Sequence, residues 1–206
     1  MKRILCAAAA PLMVPMVFMS SAAFAAEAQT SSVRDNGMSY TYVQGGYENR
    51  DYDDAFETDG LDAKVSYALD EHLFVRGGLQ LFKGDADYRC YGFCNNDDAD
   101  GYQLSGGLGF NTPLSTGLDL VVTGDIVHID YDFGDDTGYA IAGGVRHATT
   151  DKLELTGGLF LEDVVDSEFG LQGGALFHAS AKVDVGADLK LGDDITTFGL
   201  FGRYNF

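Results

Sequence analysis

Cys90 and Cys94 carry the most reactive side chains in the body of this chain, set close together in Arg89-Cys90-Tyr91-Gly92-Phe93-Cys94. In an exported chain such a pair closes a disulfide, because the compartments beyond the inner membrane are oxidising. A metal site is the competing reading, but this spacing supplies two ligands and no histidine lies nearby. The ring is short, so the bond contributes only about 2 kcal/mol through chain entropy. Its use would be local, holding Tyr91 and Phe93 as an aromatic knuckle for a partner or packed on itself. Two acidic runs, Asn95-Asn96-Asp97-Asp98-Ala99-Asp100-Gly101 and Asp132-Phe133-Gly134-Asp135-Asp136, contain calcium-type ligands. Neither has the spacing of a dedicated calcium loop with its closing Glu, so both read as solvated, self-repelling loops. His72, His128, His147 and His178 fall at segment ends or turns, and Asp125 and His128 point to opposite faces of one segment. With no nucleophile, base and carboxylate converging, the chain reads as not an enzyme, and with no cofactor or metal.

What must position these residues is a repeated strand pattern. In Lys182-Val183-Asp184-Val185-Gly186-Ala187-Asp188-Leu189-Lys190-Leu191 the apolar residues alternate with charged ones. A strand sends successive side chains to opposite faces, whereas helical spacing would scatter both groups. The same test predicts ten segments: 38–48, 60–69, 73–83, 101–110, 118–129, 138–147, 153–161, 169–178, 181–191 and 196–206. Apolar faces read, for example, Leu61, Ala63, Val65, Tyr67, Leu69 and Leu153, Leu155, Gly157, Leu159, Leu161. The first and fifth segments are ambiguous, since Tyr40, Tyr42 and Val43 fall on both faces and Val121 lies opposite Leu120 and Val122. If either is mis-divided the count becomes eight.

The opposite face carries the charge: Asp62, Asp119, Asp125, Glu154, Asp184 and Asp188 against Lys64, Arg76, Arg146, Lys182, Lys190 and Arg203. Glycines recur in the same rows (Gly78, Gly107, Gly144, Gly158, Gly174, Gly199), as a narrow interior filled with long polar side chains requires. A lone desolvated charge costs several kcal/mol, so such groups must pair or stay hydrated.

The ends of the chain supply an address. Lys2 and Arg3 precede an apolar stretch, and Ala23-Phe24-Ala25 offers the small-x-small pattern of signal-peptidase cleavage. Residues 1–25 therefore read as a cleaved signal peptide containing Cys6, 26–37 as a short periplasmic segment and 38–206 as the folded domain. The whole chain holds 13 Lys plus Arg against 32 Asp plus Glu, a net charge of −19, and losing the leader makes the remainder more acidic still. Nucleic acid, whose phosphates need a basic surface, is excluded as a partner. Ten residues of tilted strand match the hydrocarbon thickness, and an even strand number closes a barrel, leaving no unpaired backbone in lipid. Short connections after even segments and longer, more acidic ones after most odd segments fit periplasmic turns and extracellular loops. The expected fold is an all-β, antiparallel up-and-down transmembrane β-barrel of ten strands. The rival is a soluble sandwich or lipocalin-like barrel with its apolar face inward. The last strand ends in aromatic Tyr204 and Phe206, which read as an assembly signal and favour the membrane form.

These features resemble the small outer-membrane barrels of Gram-negative bacteria, the class that includes OmpX-like proteins and the OmpA membrane domain. The opening Ser39-Tyr40-Thr41-Tyr42-Val43-Gln44-Gly45-Gly46-Tyr47 is similar to that of the xanthomonad-type small outer-membrane protein family. The resemblance implies an outer-membrane location and insertion by the barrel-assembly machinery, which reads the final strand. It implies no catalytic residues, and the Cys-bearing loop departs from the pattern. The functional expectation is a monomeric structural or cell-surface interaction protein with acidic extracellular loops and an ion-paired lumen. The alternative is a narrow, weakly selective diffusion pore. Expected partners are outer-membrane lipid and lipopolysaccharide, whose phosphates the acidic loops could meet through divalent cations, together with an unidentified surface partner at the loops.

Overall fold

All ten alternating segments become strands, each paired antiparallel with its sequence neighbours, and the first pairs with the last to close a barrel. The structure is a computed structural model that describes residues 38–52, 56–85, 100–131 and 134–206. The expected leader, residues 26–37, the Cys90–Cys94 loop and Asp132-Phe133 lie outside the described residues. The strands are β1 (Tyr42–Tyr52), β2 (Phe56–Ala68), β3 (Leu73–Asp85), β4 (Gly101–Ser115), β5 (Leu118–Tyr131), β6 (Gly134–Thr150), β7 (Leu153–Asp163), β8 (Ser167–His178), β9 (Val183–Leu191) and β10 (Ile195–Asn205). β1 pairs with β10 from Tyr42 opposite Asn205 to Tyr52 opposite Ile195, so every strand has two partners and the sheet has no edge.

The polarity of the wall separates the two rival folds. Leu61 is 66% exposed and Ile126 62%, whereas Asp119 is 0% and Glu154 1% exposed. The apolar rows face outward and the ionisable rows inward, the reverse of a soluble barrel. A lipid-facing surface needs this arrangement, because acyl chains solvate Leu and Val but cannot solvate a carboxylate.

Two expectations need correction. The first strand starts at Tyr42 rather than Met38: Thr41 still meets the wall, its carbonyl accepting from the Phe206 N–H at 3.3 Å, while Met38, Ser39 and Tyr40 turn inward, and all four are buried. That removes the ambiguity, since Gln44, Glu48 and Arg50 then face inward while Val43 and Tyr47 face out. Several stretches expected as acidic loops are also paired strand. β1 and β2 extend to Tyr52 opposite Phe56, and β5 and β6 to Tyr131 opposite Gly134. Both faces are polar there, so alternation is lost from the sequence although the backbone ladder continues.

The opposite end has tight turns. Gly117, the turn residue between β4 and β5, has φ of 75°, a conformation that a Cβ disfavours. Between β2 and β3, Asp70 accepts hydrogen bonds from the backbone N–H groups of His72 (2.7 Å) and Leu73 (2.8 Å). These two donors, His72 foremost, hold the exposed Asp70 carboxyl below its usual pKa. The depressed pKa means the contribution is present above the ordinary carboxylate range and fades as pH falls through the lowered value. Amide exchange at His72 and Leu73 is expected to accelerate in that acid window, and Asp70→Ala to produce the faster exchange at neutral pH.

Candidate functional site

The chemistry sits in the lumen, where inward-facing rows from all ten strands surround a cavity of about 340 Å3. Its lining runs from Tyr40, Phe74, Arg146 and Glu154 near the turn end to Glu48, Arg50 and Glu162 near the opposite end.

At the turn end Arg146 of β6 forms a two-pronged pair with Glu154 of β7, Nε at 2.7 Å and Nη2 at 2.9 Å from the two carboxylate oxygens. Its remaining terminal nitrogen, Nη1, donates to the Ser39 carbonyl at 3.2 Å, and the guanidinium lies 4.5 Å from the centre of the Tyr40 ring. The Tyr40 hydroxyl donates to Asp119 of β5 at 2.9 Å, and its ring packs on Phe74 of β3 with centroids 5.2 Å apart. Beside this cluster Asp184 accepts from Asn205 at 2.7 Å and lies 2.8 Å from His178 Nδ1. Arg203 donates to Gln44 at 2.9 and 3.2 Å and stacks 3.9 Å from the Tyr42 ring centre.

A second cluster occupies the loop end. Glu48 accepts from Arg50 at 3.0 Å and from Gln80 at 3.1 Å, with Lys64 at 3.7 Å. Lys64 also pairs with Asp62 at 3.4 Å, while Glu162 stands between Arg50 (3.9 Å) and Lys190 (3.7 Å). Arg76 and Asp125 pair at 3.2 Å. Bringing charges into a narrow bore is costly unless each finds partners, and here the partners come from the same strand, as in Glu48–Arg50 and Asp62–Lys64, and from other strands, as in Arg50–Glu162 and Arg76–Asp125.

Of the residues anticipated for the interior, Asp62, Lys64, Arg76, Asp119, Asp125, Arg146, Glu154, Asp184, Asp188, Lys190 and Arg203 all face the bore. Asp188 sits against the wall where Gly199 has no side chain: a Cβ there would lie 2.1 Å from its Oδ1. Lys182 does not join them. It precedes β9 in an exposed turn, with its ammonium 5.8 Å from the Tyr204 ring on the outside, because the strand starts at Val183 rather than Ala181. Tyr204 faces outward and packs edge-on against Phe206 at 5.3 Å. Glu48, Arg50 and Glu162 were hidden in stretches expected as strand end or loop. Continuing the Gln44 alternation through Gly46 reaches Glu48 and then Arg50. The bore also holds apolar side chains, among them Phe74, Val127, Phe160 and Leu176, each at most 5% exposed. Among the described residues no group of His, Cys, Asp or Glu could hold a metal ion; the Cys90–Cys94 pair lies outside them.

The chain resembles known barrels in sequence profile and in shape. An outer membrane channel from Pseudomonas putida F1 superposes with a TM-score of 0.53 at 10% identity, covering 86% of this chain and 98% of that one. The KdgM porin in complex with disordered oligogalacturonate gives 0.47 at 8% identity, covering 80% and 99%. The attachment invasion locus protein Ail of Yersinia pestis gives 0.33 at 13%, covering 80% and 95%. No curated protein matches the sequence. The family model for the outer membrane protein beta-barrel domain matches residues 14–189, most of the chain, and the protein belongs to that family.

Proposed function

We propose that this outer-membrane barrel is a non-catalytic structural or surface-interaction protein whose lumen is closed by its own side chains. The observation that carries the reading is the shielding at the turn end, the periplasmic side of such barrels. There Asp119, Glu154, Asn111 and Met38 are at most 1% exposed, and we read this burial as the closure of the mouth to water. The acidic strand ends then form the face offered to the cell exterior, and a Cys90–Cys94 disulfide would belong to the same face. Export by a leader cleaved after Ala25, insertion through the Tyr204 and Phe206 strand end and a monomeric state complete the reading. Divalent cations would bridge the acidic rim to lipopolysaccharide phosphates.

The second reading, a narrow and weakly selective diffusion pore, is favoured by the axial cavity itself. Purified protein in a planar bilayer is expected to leave the membrane silent. Reproducible single-channel steps from the unaltered chain would overturn the closed-lumen reading in favour of the pore.

A further inference from the structure

We infer that Met38–Thr41 is a built-in stopper, an autoinhibitory segment whose withdrawal opens the turn-end mouth of the barrel to the cavity above it. The inference rests on the closed-lumen reading and specifies which part of the chain does the closing.

The four residues precede β1, and nothing in the hydrogen-bonding of the wall requires them to turn inward: β1 begins its ladder at Tyr42 opposite Asn205 and Ser66. They nevertheless cross the bore. Thr41 Oγ1 accepts from the Ala68 N–H at 3.1 Å and the Tyr40 carbonyl from Ser66 Oγ at 2.8 Å, both on the adjacent β2. The Ser39 carbonyl, by contrast, reaches Arg146 on β6, which lies five strands from β1 in either direction round the ring. The segment and the Arg146 side chain that meets it together bridge the bore.

Its contacts are those of a seated part. Tyr40 is wedged between Phe74 on one side and the Arg146 guanidinium on the other, with its hydroxyl tied to Asp119. Met38 is 1% and Tyr40 4% exposed. Tyr40 and Phe74 also bound the cavity, so the Tyr40 ring stands between the inner space and the mouth. Around it Arg146 and Glu154 pair with each other, Arg146 also holds the Ser39 carbonyl and Asp119 holds the Tyr40 hydroxyl, and these charged groups would line a hydrated opening once the ring is gone.

Two measurements on full-length, folded protein test this. In bilayers the unaltered chain is expected to be silent, Tyr40→Ala to give resolved single-channel steps, and Tyr40→Phe, which keeps the wedge, to remain silent or open briefly. In a chain with Cys6→Ser, Cys90→Ser and Cys94→Ser, Met38→Cys should react with a charged methanethiosulfonate at least about an order of magnitude more slowly than Lys182→Cys in the exposed turn, because access limits a buried thiol. Adding Tyr40→Ala should bring the two rates together. Silence of a Tyr40→Ala barrel that still shows the heat-shifted mobility of the folded state overturns the stopper and leaves the closed-lumen reading intact. Steps from the unaltered chain overturn that reading instead. Should Tyr40→Ala fail to fold, labelling of Met38→Cys alone decides, and a rate equal to that of Lys182→Cys overturns the stopper.

Discussion

Replacing Gly158 with valine is expected to abolish the heat-shifted band of the folded barrel, or to lower stability by more than about 4 kcal/mol if the barrel still forms. Gly158 on β7 stands opposite Gly144 on β6, and both face the bore. A Cβ on Gly158 would lie 2.3 Å from the Gly143 carbonyl oxygen and 2.7 Å from the Gly144 Cα. The mirror situation holds at Gly144, whose Cβ would come within 2.4 Å of the Gly157 carbonyl oxygen and 2.8 Å of the Gly158 Cα. These obstacles are backbone atoms within a paired ladder, so no rotamer change can relieve them. The adjacent Gly157 supplies the control: it faces outward, and a Cβ there meets nothing within 4 Å. Gly157→Ala should fold with a denaturation midpoint close to that of the unaltered chain. A normal midpoint for Gly158→Val would show that the two strands do not approach so closely.

The same contrast marks how far the sequence alone could lead. Period-2 alternation located all ten strands, because each spans lipid on one side and a polar bore on the other, and no second pattern fits residues such as Val183 through Leu191. It also placed the inward glycines correctly, but it could not separate two reasons for them. Gly199 makes room for the Asp188 carboxylate, whereas Gly144 and Gly158 allow two backbones to meet. Alternation ended where the environment ceased to be two-sided. Above the membrane both faces are wet, so Arg50 and Glu162 looked like loop although they lie on paired strand and join the ion-pair network. Met38-Ser39-Tyr40-Thr41 reads as strand because it too alternates in polarity. Its departure into the lumen depends on Arg146, Asp119 and Phe74, partners far away in sequence that no local pattern registers. Phe74, Val127 and Phe160 were hidden for a related reason. Phe74 and Phe160 are flanked on both sides by apolar outward residues and Val127 follows Ile126, which makes an inward hydrophobe look like part of a continuous greasy run.

Truncating either member of the Arg146–Glu154 pair should cost about 3–5 kcal/mol in equilibrium denaturant unfolding, the range for stranding one buried charge. The two-pronged geometry and the 1% exposure of Glu154 leave no water to take over the lost partner. Arg146→Ala also frees the Ser39 carbonyl and the Tyr40 ring, so its effect should extend to the mouth of the bore, whereas Glu154→Ala leaves those contacts in place. The double variant Arg146→Met with Glu154→Leu is expected to lose far less than the sum of the single losses, because no charge is then left buried alone. The Lys83–Asp100 pair at 3.4 Å provides the comparison, since both side chains are largely exposed and water screens them. Lys83→Ala should change stability by no more than about 0.5 kcal/mol. Equal losses at the two sites would mean that the turn end is hydrated, and the closure on which the lumen's proposed role depends would fail with it. A large loss confined to Arg146 and Glu154 would instead show that the bore is dry at the level where the N-terminal segment crosses it.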